Sequence, residues 1–166
     1  MNPRRLAGLD MQLPEGKIPG FYAQIVKGIA ERAPLFDRYK ELLIFDSEEH
    51  LPPVLELLNK YKVTSERCEL LLLPPEGLVQ GDLYEDYAIV TRNENVYMDL
   101  ALTALFSLNK AKPEAEPAPA LLQLKEHLIG SLSIDGADVY MIDRQLTELA
   151  ERIAVAYGCG VTWRYE

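Results

Sequence analysis

Apolar and polar positions follow one order twice along this chain. A contiguous apolar run, Leu42-Leu43-Ile44-Phe45, ends in Asp46 and leads through a helical pattern to a further apolar run ending at Leu73. A second run, Val139-Tyr140-Met141-Ile142, ends in Asp143 and leads through another helical pattern to an alternating segment at 161–166. Strand–helix–strand order of this kind predicts an α/β fold.

The remaining elements follow from periodicity and breakers. Residues 1–19 are rich in Gly and Pro, lack a period, and are expected to form an irregular N-terminal arm. Phe21, Ile25 and Ile29 share one face of a helix over 20–32, which Pro34 stops. The strand at 41–46 is apolar on both faces and so should be central. A helix follows over 47–61, with Pro52 and Pro53 in its first turn and Leu51, Val54, Leu55, Leu58 and Tyr61 as its stripe. Residues 68–73 form a strand, 76–86 an acidic loop and 87–92 another strand. Asn93-Glu94-Asn95 either turns a hairpin into 96–100 or caps a helix over 96–108; the Ala, Leu and Met content favours the helix.

The segment 112–120 carries three prolines and reads as an extended linker. A helix over 121–129 ends at Gly130. Asp135-Gly136 predicts a type I′ turn that pairs Leu132 and Ile134 with Val139 and Met141. Asp143 caps a helix lined by Leu146, Leu149, Ala150, Ile153, Ala156 and Tyr157, with Gly158 as its stop. The last strand alternates Val161, Trp163 and Tyr165 with polar residues, as an edge strand does. The expected architecture is α/β, with a mixed, largely parallel sheet of about five or six strands and flanking helices, built from two strand–helix–strand units. In domain terms, 1–19 is the arm, 20–111 the first α/β portion, 112–120 the linker, and 121–166 a second α/β portion packed with the first as one domain.

Charge narrows the function classes. The 166 residues carry a net charge of −9, with acidic residues in excess in both halves: ten basic and thirteen acidic over 1–83, seven and thirteen over 84–166. Such a chain is repelled by phosphate backbones and anionic lipid, so neither nucleic acid nor membrane is an expected partner, whereas a basic protein is. The two cysteines, Cys68 and Cys159, lack metal or redox spacing and read as buried small hydrophobes. Residues 6–19 are broken by Gly8, Asp10, Pro14 and Glu15, which argues against a secretory signal and leads to the expectation of a cytoplasmic protein.

Candidate chemistry concentrates in a few places. Asp46, Glu48, Glu49 and His50 follow a central strand, where α/β sheets bind ligands, and could hold a divalent cation; the same residues are also an ordinary acidic helix start. The run Asp46-Ser47-Glu48 after an apolar strand resembles the first motif of haloacid dehalogenase phosphatases over about six residues. The second Asp of that motif is absent, and convincing Thr and Lys motifs do not follow, so the reading is rejected. Asp143 could pair with Asp46 across one sheet for acid–base work, with His50 as a further candidate, or could simply cap its helix. A nucleophile elbow, a phosphate loop and a dinucleotide fingerprint are all missing, and no cofactor is expected.

The favoured surface is the loop bearing Glu76, Asp82, Glu85 and Asp86, with Tyr84 and Tyr87 as contact area. The resulting expectation is a non-catalytic interaction protein of inhibitor, immunity or adaptor type that presents an acidic surface to a basic partner protein. The alternative is a small-ligand or divalent-metal-dependent enzyme using the carboxylates after the first strand. A homodimer through the C-terminal edge strand is a further possibility.

Overall fold

The computed structural model describes residues 2–13 and 19–166. The chain begins with β1 (Arg4–Gln12), α1 (Pro19–Arg32), β2 (Asp37–Tyr39), β3 (Leu42–Phe45), α2 (Leu51–Lys60) and β4 (Thr64–Leu73). A joining segment holds β5 (Val79–Gln80), α3 (Tyr84–Tyr87), β6 (Ile89–Val90) and β7 (Val96–Asp99). Then come β8 (Thr103–Lys110), α4 (Pro117–Leu124), β9 (Leu128–Ile134), β10 (Ala137–Asp143), α5 (Thr147–Ala156) and β11 (Cys159–Arg164). Six strands form one sheet in the order β2-β3-β1-β4-β7-β6, and five form another in the order β11-β8-β10-β9-β5.

The expected mixed, largely parallel sheet does not form: every strand pair among the described residues is antiparallel. The reason lies in two intercalated strands. β3 and β4 do run the same way on either side of α2, but β1 lies between them and pairs antiparallel with both. β10 and β11 flank α5 in the same manner, with β8 between them. Each crossover is therefore split. The succession strand–helix–strand–strand–helix–strand occurs twice, each time with the first strand inserted between the third and fourth, which is the split-βαβ arrangement of ferredoxin-like folds.

Both intercalated strands fall where the sequence pattern predicts something else. Residues 4–12, expected within an irregular arm, are the central strand β1, and its Leu6, Ala7, Leu9 and Met11 are buried. Residues 14–18 of that arm lie outside the described residues. Gly8 breaks the apolar pattern because a Cβ there would sit 2.6 Å from Cys68 Sγ and 3.2 Å from both Leu42 and Leu70. The expected helix over 96–108 is instead β7, a turn and β8. Met98, Leu105 and Phe106 are fully buried in strands, so tertiary packing overrides helix propensity. The 112–120 segment is not wholly extended either. Pro117 opens α4, where the missing N–H has no helical partner to lose. The helix expected over 121–129 gives way to β9 at Leu128.

Local signals elsewhere match the observed elements. Asp135 and Gly136 take φ values of 52° and 79°, as a type I′ turn requires, and set Leu132 opposite Val139. Asp143 accepts a hydrogen bond from the Gln145 N–H at 2.8 Å, and Gly158 ends α5 at φ 74°.

Directly opposed residues share a face, so register assigns the layers. One face of the six-stranded sheet carries Ala7, Leu9, Met11, Leu43 and Phe45 against Ile25 and Ile29 of α1 and Val54, Leu57 and Leu58 of α2. Further along, Leu71, Leu73 and Met98 meet Leu105, Leu132, Val139 and Met141 of the second sheet. The second sheet's other face, with Phe106 and Ile142, is covered by α4 and α5. The remaining face of the six-stranded sheet, bearing Leu6, Leu42, Ile44, Leu70 and Tyr97, curls upon itself into a nearly closed barrel.

A side chain of the edge strand β2 reaches the turn that follows the other edge strand, β6, and β7 beyond it. Asp37 of β2 is only 5% exposed, and its carboxylate accepts from Thr91 Oγ1 (2.7 Å), Asn93 Nδ2 (3.0 Å), Asn95 Nδ2 (2.9 Å), Tyr97 OH (2.9 Å) and the Arg38 N–H (2.8 Å). Burial alone would raise this carboxyl's pKa. The donors, Asn95 and Thr91 foremost, outweigh it and hold the group below the ordinary 3.8. A depressed folded value stabilises the fold at pH above the unfolded value and loses that contribution as pH falls through the folded one. Asp37→Ala, which orphans buried donors, is expected to cost about 3 kcal/mol in urea unfolding. Asp37→Asn is expected to flatten the loss of stability below about pH 4.

Candidate functional site

The sequence-predicted carboxylates after β3 are only partly brought together. His50 Nε2 lies 3.1 Å from Asp46 Oδ1, and Arg4 approaches the same carboxylate at 3.8 Å. Glu48 turns away to pair with Arg67. Ser47, whose Oγ accepts from the Glu49 N–H at 3.2 Å, caps the short turn at Glu48–His50 that precedes α2. Among the described residues no group of three or more His, Cys, Asp and Glu is arranged to hold a metal ion. Asp143 does not face Asp46 across a common sheet, because β3 and β10 belong to different sheets.

The acidic loop keeps its charges outside and its rings inside. Glu76, Asp82, Glu85 and Asp86 are exposed. Tyr84 is buried in the core between the sheets, and Tyr87 donates to Asp143. That bond, with burial and the Asp143 charge, pushes the Tyr87 hydroxyl up to about 12. The same bond and the Gln145 N–H hold the Asp143 carboxyl below its usual range, against the effect of burial. The two tyrosines expected as contact area thus anchor α3 to the second sheet. Position on α3 decides this: a four-residue helix cannot point all its side chains outward while resting on a core.

One cleft is announced by no single stretch of sequence. It opens at a mouth of the barrel, has a volume of about 510 Å³, and is lined in part by Asp10, Glu66, Cys68, Asp99 and Arg144. Barrel mouths are recurrent ligand positions. The pairings Asp10↔Glu66 and Leu70↔Asp99 place these carboxylates on adjacent strands. Burial, followed by the negative charges of Glu41, Glu66 and Asp99, raises the Asp10 carboxyl above its ordinary value.

The cations nearby are engaged elsewhere. Arg67 pairs with Glu48, and Arg5 pairs with Glu69 at 3.1 Å. Arg144 donates to the carbonyls of Leu100 (2.7 Å) and Thr103 (3.0 Å). Among the described residues Asp10 has no ion-pair partner. In sequence these carboxylates are scattered over 10–99, on three strands; the only local hint is a polar residue alternating with apolar ones, such as Asp10 between Leu9 and Met11.

Cys68 sits inside this mouth as a poor nucleophile. Burial first, then Asp99 and Asp10, push its thiol up to about 12. Cys159 is buried in β11, and neither cysteine forms a disulfide. β11 is the outer edge of its sheet, as its alternation predicts; Trp163 is tied to Glu151 at 2.8 Å and Arg164 to Ser107 at 2.9 Å. None of the described helices is long and apolar enough to cross a membrane. Compared with known protein families, curated proteins and solved structures, the chain matches none.

At pH 8 alkylation of Cys68 by iodoacetamide is expected to run about a hundredfold or more slower in the folded protein than in the unfolded chain. Asp99→Asn should speed it, read by mass spectrometry of the Cys68 peptide.

Proposed function

We propose that this chain is a non-catalytic, cytoplasmic interaction module of inhibitor, immunity or adaptor type, and that its acidic barrel mouth receives a basic side chain of a partner protein. The observation that carries this reading is the gathering of Asp10, Glu66 and Asp99 at one cleft while the neighbouring guanidinium groups are spent on other partners. Like charges held together without a counter-ion destabilise the free protein and are relieved by an incoming cation, so the repulsion becomes binding free energy. A lysine or arginine stem would lie against the apolar lining from Leu42, Leu70 and Ile89 with its head at the carboxylates. The exposed Glu76, Asp82, Glu85 and Asp86, with the net charge of −9, would add long-range attraction for such a partner.

The test uses lysine- and arginine-containing peptides, with glutamate-containing peptides as controls, in fluorescence anisotropy at several salt concentrations. The triple variant Asp10→Asn/Glu66→Gln/Asp99→Asn is expected to weaken basic-peptide binding at least about tenfold. It should also keep or raise the melting temperature, because the repulsion is gone. Charge reversal at Glu85 and Asp86 should slow association more than it speeds release. Unchanged binding in the triple variant would remove the barrel mouth from the reading.

A further inference from the structure

A second cleft has the opposite charge. It lies along the barrel seam, has a volume of about 450 Å³, and is lined by Arg38, Tyr39 and Lys40 from the β2 side and Val90, Thr91 and Arg92 from the β6 side, with Tyr22 and Glu41 beside them. Three cations and one carboxylate therefore meet at one place in a chain whose net charge is −9. Among the described residues none of the three cations is in an ion pair. The nearest buried carboxylate, Asp37, is already saturated by its own donors.

The cleft is also shaped by contacts that fix its cations. The Arg38 guanidinium lies 5.6 Å from the Tyr22 ring centre, and the Lys40 ammonium 5.2 Å from that of Tyr39. Tyr22 OH donates to the Lys40 carbonyl at 2.5 Å, and Lys40 takes a left-handed φ of 51° in the β2–β3 turn. An uncommon backbone conformation is thus braced by a helix side chain, and it presents the lysine beside the two arginines.

From this juxtaposition we infer that the seam cleft is a binding site for a small phosphorylated compound of about mononucleotide size. Its phosphate would sit among Arg38, Lys40 and Arg92, and its remainder would lie along the tyrosine walls. Guanidinium forks match phosphate oxygens in pairs, and the volume suits a small ligand rather than a macromolecule. A polynucleotide would meet the repulsion of the whole acidic surface. An added peptide strand would find only three residues of β2 and two of β6, with Asp37 of β2 already bonded to Thr91 just after β6. A ligand spanning β2 and β6 also ties the barrel edges together, so binding should stabilise the fold.

The experiment titrates AMP and pyrophosphate into the protein at fixed ionic strength, with isothermal calorimetry, melting temperature and amide chemical shifts as readouts. The expected result is saturable binding of AMP, a melting temperature that rises with its concentration, and shifts centred on 38–41 and 90–92. Arg38→Gln/Arg92→Gln should lower affinity at least about tenfold and abolish the thermal gain. Glu41→Gln should raise affinity, and Arg92→Gln alone, on an exposed side chain, should give a smaller loss in a protein that melts like the parent. Binding of pyrophosphate as tight as AMP would keep the phosphate contact and overturn the role of the tyrosine walls. Absence of saturable binding at millimolar ligand, affinity indifferent to the arginine variants, or tighter binding of an oligonucleotide than of AMP would overturn the site.

Discussion

A single buried carboxylate holds the six-stranded sheet closed. The edges of that sheet are β2 and β6, and the described backbone pairings do not join them to one another. Asp37 reaches from β2 to the turn that follows β6 and to β7, and collects donors from Thr91, Asn93, Asn95 and Tyr97. In a low-dielectric setting such a network is favourable only when every member is satisfied, and here the carboxylate is. Closure of the seam gives the barrel an inside, where Leu6, Leu42, Ile44, Leu70 and Tyr97 pack, and it shapes the clefts at the mouth and along the seam.

Those clefts divide the charge. The mouth gathers carboxylates from β1, β4 and β7, strands whose registers put Asp10 beside Glu66 and Leu70 beside Asp99. The seam gathers cations from β2, from the β2–β3 turn and from the residues after β6. A chain that is acidic in bulk therefore offers an anionic pocket and a cationic one on a single barrel. Net charge alone predicts only the first, because net charge reports the far field and not the local arrangement of counter-ions.

Two candidate groups from the sequence change role once packed. Tyr84 and Tyr87 have the composition of a binding surface but serve as anchors, one in the inter-sheet core and one on Asp143. The acidic start after β3 behaves largely as a helix start, with Ser47 capping and Glu48 drawn to Arg67. Aspartates and glutamates in a first turn are stabilised by the helix dipole whether or not they do anything else, so the motif carries little information about chemistry.

Features set by neighbours in the chain were legible from residue order alone. The Asp135-Gly136 turn needs two positive φ angles, α5 carries its own apolar stripe, Gly158 stops it, and β3 declares burial on both faces through four contiguous apolar residues. Residue order also revealed that a strand–helix–strand succession recurs. What lies between those strands follows from long-range packing. β1, broken by a glycine that the narrow barrel requires, and β8, composed of residues that also suit a helix, each slip between two strands that would otherwise have paired in parallel. Strand neighbours are chosen by burial of whole faces across long sequence separations, and the same long-range choice brings Asp37 to Tyr97 and Asp10 to Asp99; no local pattern encodes those meetings.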